Sequence, residues 1–189
     1  MSADSLIHGT HRASRLKMSR VGLALFLASE SFLFLVLIAA RFLFVGTQTP
    51  AALNQTLGWV LTAILLASSV VAHRAHRSVA RGRSRAFQTS VLTVIGLSVV
   101  FLAIVGYEWS LAATEFPAST LYGSFFFFIT GMHAFHLLVG ALMFGSLYVK
   151  GRKGQFTPDD HWGAEATIWY WHYVDVVWLT VFTTLYLVG

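Results

Sequence analysis

The chain has 189 residues, 56% of them hydrophobic and only 11% charged, against ~25% charged residues in a soluble domain; its mean hydropathy is +0.67. No soluble core absorbs that much apolar surface, so a water-soluble enzyme is excluded. Cysteine is absent, which removes disulfides, thiolate nucleophiles, CxxCH haem attachment and cysteine metal sites.

Residues 1–20 form a basic segment with His8, His11, Arg12, Arg15, Lys17 and Arg20. The apolar run that follows, Val21 to Val45, exceeds the 7–15 residues of a signal-peptide core, and no small-x-small site closes it. It reads as an uncleaved first transmembrane helix carrying Glu30 and Arg41. A turn region with Gly46, Pro50 and Asn54 leads to a second span over 57–73. The strongly basic loop from Arg74 to Arg85 follows, then a third span over 87–108. Glu115 and Pro117 lie in the next connection. The fourth span covers 119–149 and ends at Lys150, Arg152 and Lys153. Pro158, Asp159 and Asp160 precede the fifth span, 165–188. Each apolar stretch approaches or exceeds the ~20 residues that cross a bilayer. The expected fold is an all-α, five-helix membrane bundle formed by residues 21–189. Neither a soluble domain nor a sequence repeat is evident.

Five crossings put the N-terminal segment, the Arg74–Arg85 loop and the Lys150–Glu165 loop on one side. Together they hold 12 of the 13 Lys and Arg. The positive-inside rule makes that side cytoplasmic and the C-terminus external. It also accounts for the net charge of +5 without nucleic acid, because the cations are parcelled into short juxtamembrane loops that meet anionic headgroups.

Ionisable groups within apolar spans are costly and need a partner or a role. Glu30 lies ten residues beyond Arg20, ~15 Å along the helix and near mid-membrane. It is a protonated acid bonded to a neighbouring helix, a cleft-lining group or a proton relay. Arg41 lies near the outer end of its helix, where a snorkelling side chain reaches headgroups or grips phosphate. His133 and His136 share a helix face. Their spacing is weak support for a metal pair, haem ligation lacks the necessary volume, and interhelical hydrogen bonding is the favoured role. Gly131 and Gly140 beside them permit close helix approach. His172 and Asp175 also share a face. They bond each other, or each bonds a different helix; the second arrangement is favoured, with Glu30, His133 and His136 as available partners. The Phe125–Phe128 run reads as packing or lipid contact. No HExxH, GxSxG or phosphate-binding loop is present, so no catalytic residue and no metal ligand is assigned.

Two stretches carry a resemblance: LYGSFFFFITGMHAFHLLVG, from Leu121 to Gly140, and HWGAEATIWYWHYVDVVWLTVF, from His161 to Phe182. The chain resembles subunit III of the haem–copper respiratory oxidases, including cytochrome c oxidase and quinol oxidase third subunits. His161, Glu165, Trp171, Asp175 and Trp178 match the second motif. Glu30, within ASESFLFLVLIAARF, is similar to the family's intramembrane glutamate. Tyr107 and Glu108 resemble its glutamate–aromatic helix end, although Val105 stands where the family often has glutamine. The resemblance implies the five-helix form, lacking the first two helices of the longer members.

It also implies a non-catalytic subunit of a proton-pumping terminal oxidase that reduces dioxygen to water. That subunit would support assembly, stability and proton uptake by the catalytic subunit. Haem and copper would lie in partner subunits, with none in this chain. The implied partners are catalytic subunit I, in direct contact, and subunit II, with a small subunit IV as a further candidate. Phospholipid would occupy a cleft near Glu30, Arg41, His133 and His136, in a bacterial inner (cytoplasmic) membrane. Two alternatives compete: an accessory subunit of a nitric oxide reductase, and a stand-alone transporter or proton channel using Glu30, His133, His136, His172 and Asp175. The absence of repeats and broken helices counts against transport.

Overall fold

A computed structural model describes residues 3–47, 49–50, 53–157 and 160–188. Gln48, Pro158 and Asp159 lie outside the described residues, as do the side chains of His8, His11, Arg12 and Arg15. Five α-helices follow in order: α1 (Ala3–Val45), α2 (Gln55–Ala80), α3 (Ser84–Glu115), α4 (Leu121–Arg152) and α5 (Trp162–Phe182). A single π-helical turn, Thr183–Leu187, continues α5.

The helix ends follow local chemistry. The Asn54 side chain accepts from the Leu57 amide and starts α2; Thr120 does the same for Gly123 and starts α4. Such side-chain caps satisfy amides that have no partner within the helix. Gly82 adopts φ +66° just after α2, a left-handed conformation that glycine enters without a Cβ penalty.

Four helices, α1 to α4, are long and apolar enough to cross a membrane. At 21 residues, α5 is shorter. The helices outrun the apolar spans read from sequence. The second span, expected over 57–73, is part of a helix covering Gln55–Ala80; that helix is ~39 Å long, against ~30 Å of hydrocarbon. Polar residues at its C-terminal end continue the helix beyond the apolar stretch. In the same way α1 extends back through most of the basic N-terminal segment.

The core lies among α2, α3, α4 and α5. Its fully buried large side chains include Phe87, Phe101, Phe126, Phe144, Trp171 and Trp178. Phe101 meets Trp178 edge-on at 5.1 Å between ring centroids, and Phe144 meets Trp171 in the same way at 5.3 Å. The quadrupoles of aromatic rings favour this arrangement. By contrast, α1 lies against α4 and α5 at the edge of the bundle. Phe34 and Arg41 are its buried side chains among the described residues, while Leu25, Phe32, Leu43 and Phe44 are exposed.

Candidate functional site: polar seams between the helices

One seam joins α2 and α5. On α2 the small hydroxyls Thr62, Ser68 and Ser69 interrupt an apolar run. On α5, Trp171, His172 and Trp178 occupy one flank. Thr62 and Ser69 are seven residues apart, as are Trp171 and Trp178, so each pair repeats after two helical turns. The Trp178 indole N–H donates to Thr62 Oγ1 at 3.0 Å, and the Trp171 N–H donates to Ser68 Oγ at 3.0 Å. His172 Nδ1 lies 2.8 Å from Ser69 Oγ. Thr62 meets Trp178, two turns from the Ser68–Trp171 and Ser69–His172 contacts on both helices and in opposite chain directions, so the bonds fix an antiparallel register. Thr62 and Ser68 give their own protons to carbonyls of α2, leaving lone pairs to receive the indoles. Close approach is possible because Gly58 has no side chain; a Cβ there would lie 2.6 Å from Phe182 Cε2.

A second set of bonds is centred on α4. His136 Nε2 lies 2.9 Å from Glu30 Oε2 on α1, and His136 Nδ1 lies 2.8 Å from the Met132 carbonyl. The Tyr170 hydroxyl of α5 donates to the His136 carbonyl at 3.0 Å. The Trp109 indole of α3 donates to Thr130 Oγ1 at 3.1 Å, and a Cβ at Gly131 would meet that indole at 3.4 Å. Gly140 lies so close to Trp171 that a Cβ would be 2.8 Å from its ring.

The π-helical end forms a third set. Tyr186 donates its hydroxyl to the Glu108 carboxylate, 2.9 Å from each oxygen. Gln55 Nε2 donates to the Tyr186 carbonyl, and the Tyr122 hydroxyl to the Leu185 carbonyl. Side chains from α2 and α4 thus satisfy carbonyls that a helix terminus leaves without intrahelical donors. Where α5 begins, Glu165 pairs with Arg20 at 3.2 Å. Arg20 also stacks its guanidinium over Trp162, 5.5 Å from the ring centre. His161 Nδ1 donates to the Thr157 carbonyl at 3.3 Å.

Several expectations are revised by these positions. Glu30 and His136 do meet across helices. His133 does not join them: it is fully buried, neither ring nitrogen has a hydrogen-bond partner among the described residues, and its ring packs against Phe101 and Trp178. Its ring neighbours on α3 and α5 are the aromatic rings of Phe101 and Trp178. Arg41 does not snorkel. It is fully buried, donates to the Gly46 carbonyl just beyond its own helix, and lies over the rings of Phe42 and Tyr122. The chain turns at Gly46, which brings a carbonyl and the Tyr122 ring within reach of the guanidinium.

His172 bonds across helices, but to Ser69 and not to Glu30, His133 or His136. Asp175 lies one turn along, with Oδ2 3.6 Å from His172 Nδ1. Neither carboxylate oxygen has a hydrogen-bond partner among the described residues. Of the family-motif positions, Tyr107 faces outward. The hydroxyl partners missed from sequence are Thr62, Ser68 and Ser69. Their signal was faint: small hydroxyls repeating on one face of an apolar helix.

Among the described residues, no group of three or more His, Asp or Glu side chains converges to hold a metal ion. The fold and these seams define a class: an all-α, multi-pass membrane protein that uses its interior polar side chains chiefly to tie helices together. The chain belongs to the cytochrome c oxidase subunit III family, whose model matches residues 1–189. Similar proteins include cytochrome c oxidase subunit 3 of Gallus gallus, 34% identical over 97% of this chain and 74% of its own length. Those of Struthio camelus and the alga Cyanidium caldarium are 36% and 33% identical, each over 97% of this chain and over 74% and 72% of their own lengths. These relatives are eukaryotic, which overturns the bacterial inner-membrane placement expected from sequence and points to a mitochondrial membrane.

Proposed function

We propose that the chain is the third subunit of a respiratory haem–copper oxidase, the complex that reduces dioxygen to water. It is a non-catalytic, accessory subunit. Its work is mechanical: it presents a rigid helical surface to the catalytic subunit and holds lipid beside it. The observation that carries this reading is the fate of the intramembrane polar groups. The Trp171, Trp178, His172, Glu30, His136 and Glu108 side chains form bonds between helices and do not converge on a common substrate position.

In this reading the chain crosses the membrane five times. The basic end, with Arg20, Arg74 to Arg85 and Lys150 to Lys153, lies on the inner, electrically negative side. Subunits I and II hold the haem and copper, and subunit I contacts this chain directly. Phospholipid lies along the edge helix α1, near Glu30 and His136, where α1 leaves apolar surface uncovered.

The test is affinity purification of the tagged full chain in mild detergent, followed by mass spectrometry and an absorption spectrum. The expected result is co-purification of a haem- and copper-bearing oxidase. A chain that purifies alone would overturn the reading, and a partner with non-haem iron would make it a nitric oxide reductase accessory. Single cysteines at Arg83 and Glu115 test the topology. A membrane-impermeant thiol reagent added outside sealed vesicles should label position 115 and spare position 83.

A further inference from the structure

Around α5 stand α2, α4 and α1, and α1 also packs on α4. The open arc of α5 therefore falls between α1 and α2. Its sequence agrees: Trp169, Val176 and Leu179 recur at helical spacing and are exposed. Tyr173 and His172 border that stripe on its two sides. Tyr173 lines a cavity of about 270 Å³ with Ser31, Leu35 and Ile38 of α1, and His172 meets Ser69 of α2. The result is a groove floored by α5 and walled by α1 and α2.

His172 sets this groove apart from the rest of the membrane-facing surface. Its side chain is 38% exposed. Seven residues, ~10 Å of helix, separate it from Glu165 in the first turn of α5. Ser69 Oγ occupies Nδ1 at 2.8 Å, with Asp175 Oδ2 beyond it at 3.6 Å; Nε2 has no hydrogen-bond partner among the described residues. Of the other ionisable side chains in the apolar spans, Glu30, His136 and Glu108 have partners, and Arg41, His133 and Asp175 are buried. Among the described residues, His172 alone combines exposure with a free ring nitrogen.

Hydrocarbon chains supply neither a donor nor an acceptor, and a polar atom left bare among them costs free energy. With Glu165 at the headgroup layer, that layer is about two turns away. A second helix laid along α5 meets Nε2 at its own depth, and polar side chains between membrane helices commonly bond in this way. A Ser, Thr, Asn or Gln side chain both donates and accepts, so it satisfies either tautomer of the imidazole.

We infer that the groove between α1 and α2 docks a transmembrane helix of the catalytic subunit, with a hydroxyl or amide side chain set against His172 Nε2. The inference rests on the subunit reading proposed above and names the face that makes the contact. Glu30 and His136 do not line the cavity in this groove.

Photo-crosslinking in intact membranes tests it. Benzoylphenylalanine replaces Val176 in the groove, or Val99 on α3 or Leu142 on α4 outside it; these side chains are 62%, 61% and 67% exposed, so access is matched. The tagged full chain is illuminated, purified in mild detergent and its adducts are mapped by mass spectrometry. Position 176 should link to one transmembrane helix of the catalytic subunit, within a turn of a Ser, Thr, Asn or Gln, and positions 99 and 142 to lipid. Lipid adducts alone at 176, in a preparation that retains the oxidase, would overturn the docking and leave the subunit reading standing. Protein adducts in equal yield at all three positions would do the same. A linked helix without such a polar residue would overturn the contact to His172. Absence of oxidase from the unsubstituted preparation, read before any illumination, would overturn the subunit reading and the docking together.

Val176→Trp fills the groove from an exposed position, with Leu142→Trp as its control. The groove variant should lower the oxidase retained per chain roughly tenfold, the ratio that about 1.4 kcal/mol of overpacking sets, and the control should leave it unchanged. Equal retention in the two variants would overturn the docking. Unfolding of both variants as isolated chains should match the unsubstituted protein, which separates a blocked groove from a damaged fold.

Discussion

His136 and Glu30 meet between α4 and α1, Nε2 2.9 Å from Oε2. The Met132 carbonyl can only accept, so His136 Nδ1 must donate to it. Nε2 then faces Glu30 Oε2 at 2.9 Å, either as a donor to a carboxylate or as an acceptor from a carboxylic acid. Glu30→Leu removes the hydrogen-bonding partner from α1, a helix with few buried side chains among the described residues. The expected result is a loss of about 1 kcal/mol in unfolding of the detergent-solubilised chain, with α1 loosening first in hydrogen exchange. Glu30→Gln keeps a hydrogen-bonding group and should lose less. Equal losses would show that the pair does not hold α1.

Trp178 and Thr62 form the clearest test of the α2–α5 register. Trp178→Phe retains much of the aromatic packing and removes the N–H; Thr62→Val removes the acceptor. A double-mutant cycle by reversible unfolding should give a coupling near 0.6 kcal/mol, the average for hydrogen bonds between membrane helices. Zero coupling would mean that packing alone sets the register.

Gly140→Ala should destabilise the bundle by about 1–3 kcal/mol, the usual cost of overpacking. Its Cβ would lie 2.8 Å from Trp171 and 3.3 Å from Tyr170, and Trp171 is fully buried. Gly145, on the same helix, has nothing within 4 Å of its Cβ position. Alanine there should be neutral or slightly stabilising through helix propensity. Thermal unfolding of the two variants side by side provides the measurement, and similar midpoints would contradict the contact.

Asp175→Asn should leave stability unchanged or raise it. The side chain is buried and neither oxygen has a hydrogen-bond partner among the described residues; the contact to His172 at 3.6 Å offsets only part of the desolvation cost that loss of the charge relieves. His172→Ala, by contrast, removes the bond to Ser69 and should lower the unfolding midpoint. A lower midpoint in Asp175→Asn than in His172→Ala would reverse these roles.

The helices were legible in sequence because long apolar runs between basic loops admit few other folds. Their true lengths were not, since hydropathy marks the apolar slab and not the end of the hydrogen-bonded helix: Arg74 and Arg77 remain within α2. Glu30 and His136 were visible as candidates because intramembrane ionisable groups stand out, and the pairing of one with the other follows from helix packing. Arg41 was misread for the same reason. Its charge was plain, but the turn at Gly46 that brings a carbonyl to it was not. Thr62, Ser68 and Ser69 were overlooked because a hydroxyl in an apolar helix usually bonds its own backbone. These bond both their own helix and its neighbour, or the neighbour alone in the case of Ser69.

The ladder between α2 and α5 also bears on how the chain is made. Taken alone, α5 is a poor candidate for insertion: it is short and carries four indole N–H groups, an imidazole and two carboxyls, each costly in hydrocarbon. Acceptors for two of the indoles, and a partner for the imidazole, wait on α2, which is synthesised earlier. If α5 crosses the bilayer as proposed, it would enter against a template already in place, with α2 acting as its chaperone within the same polypeptide. Substitutions that strip the hydroxyls from α2 would then be felt first as failed integration of the nascent chain, before any finished protein exists to unfold.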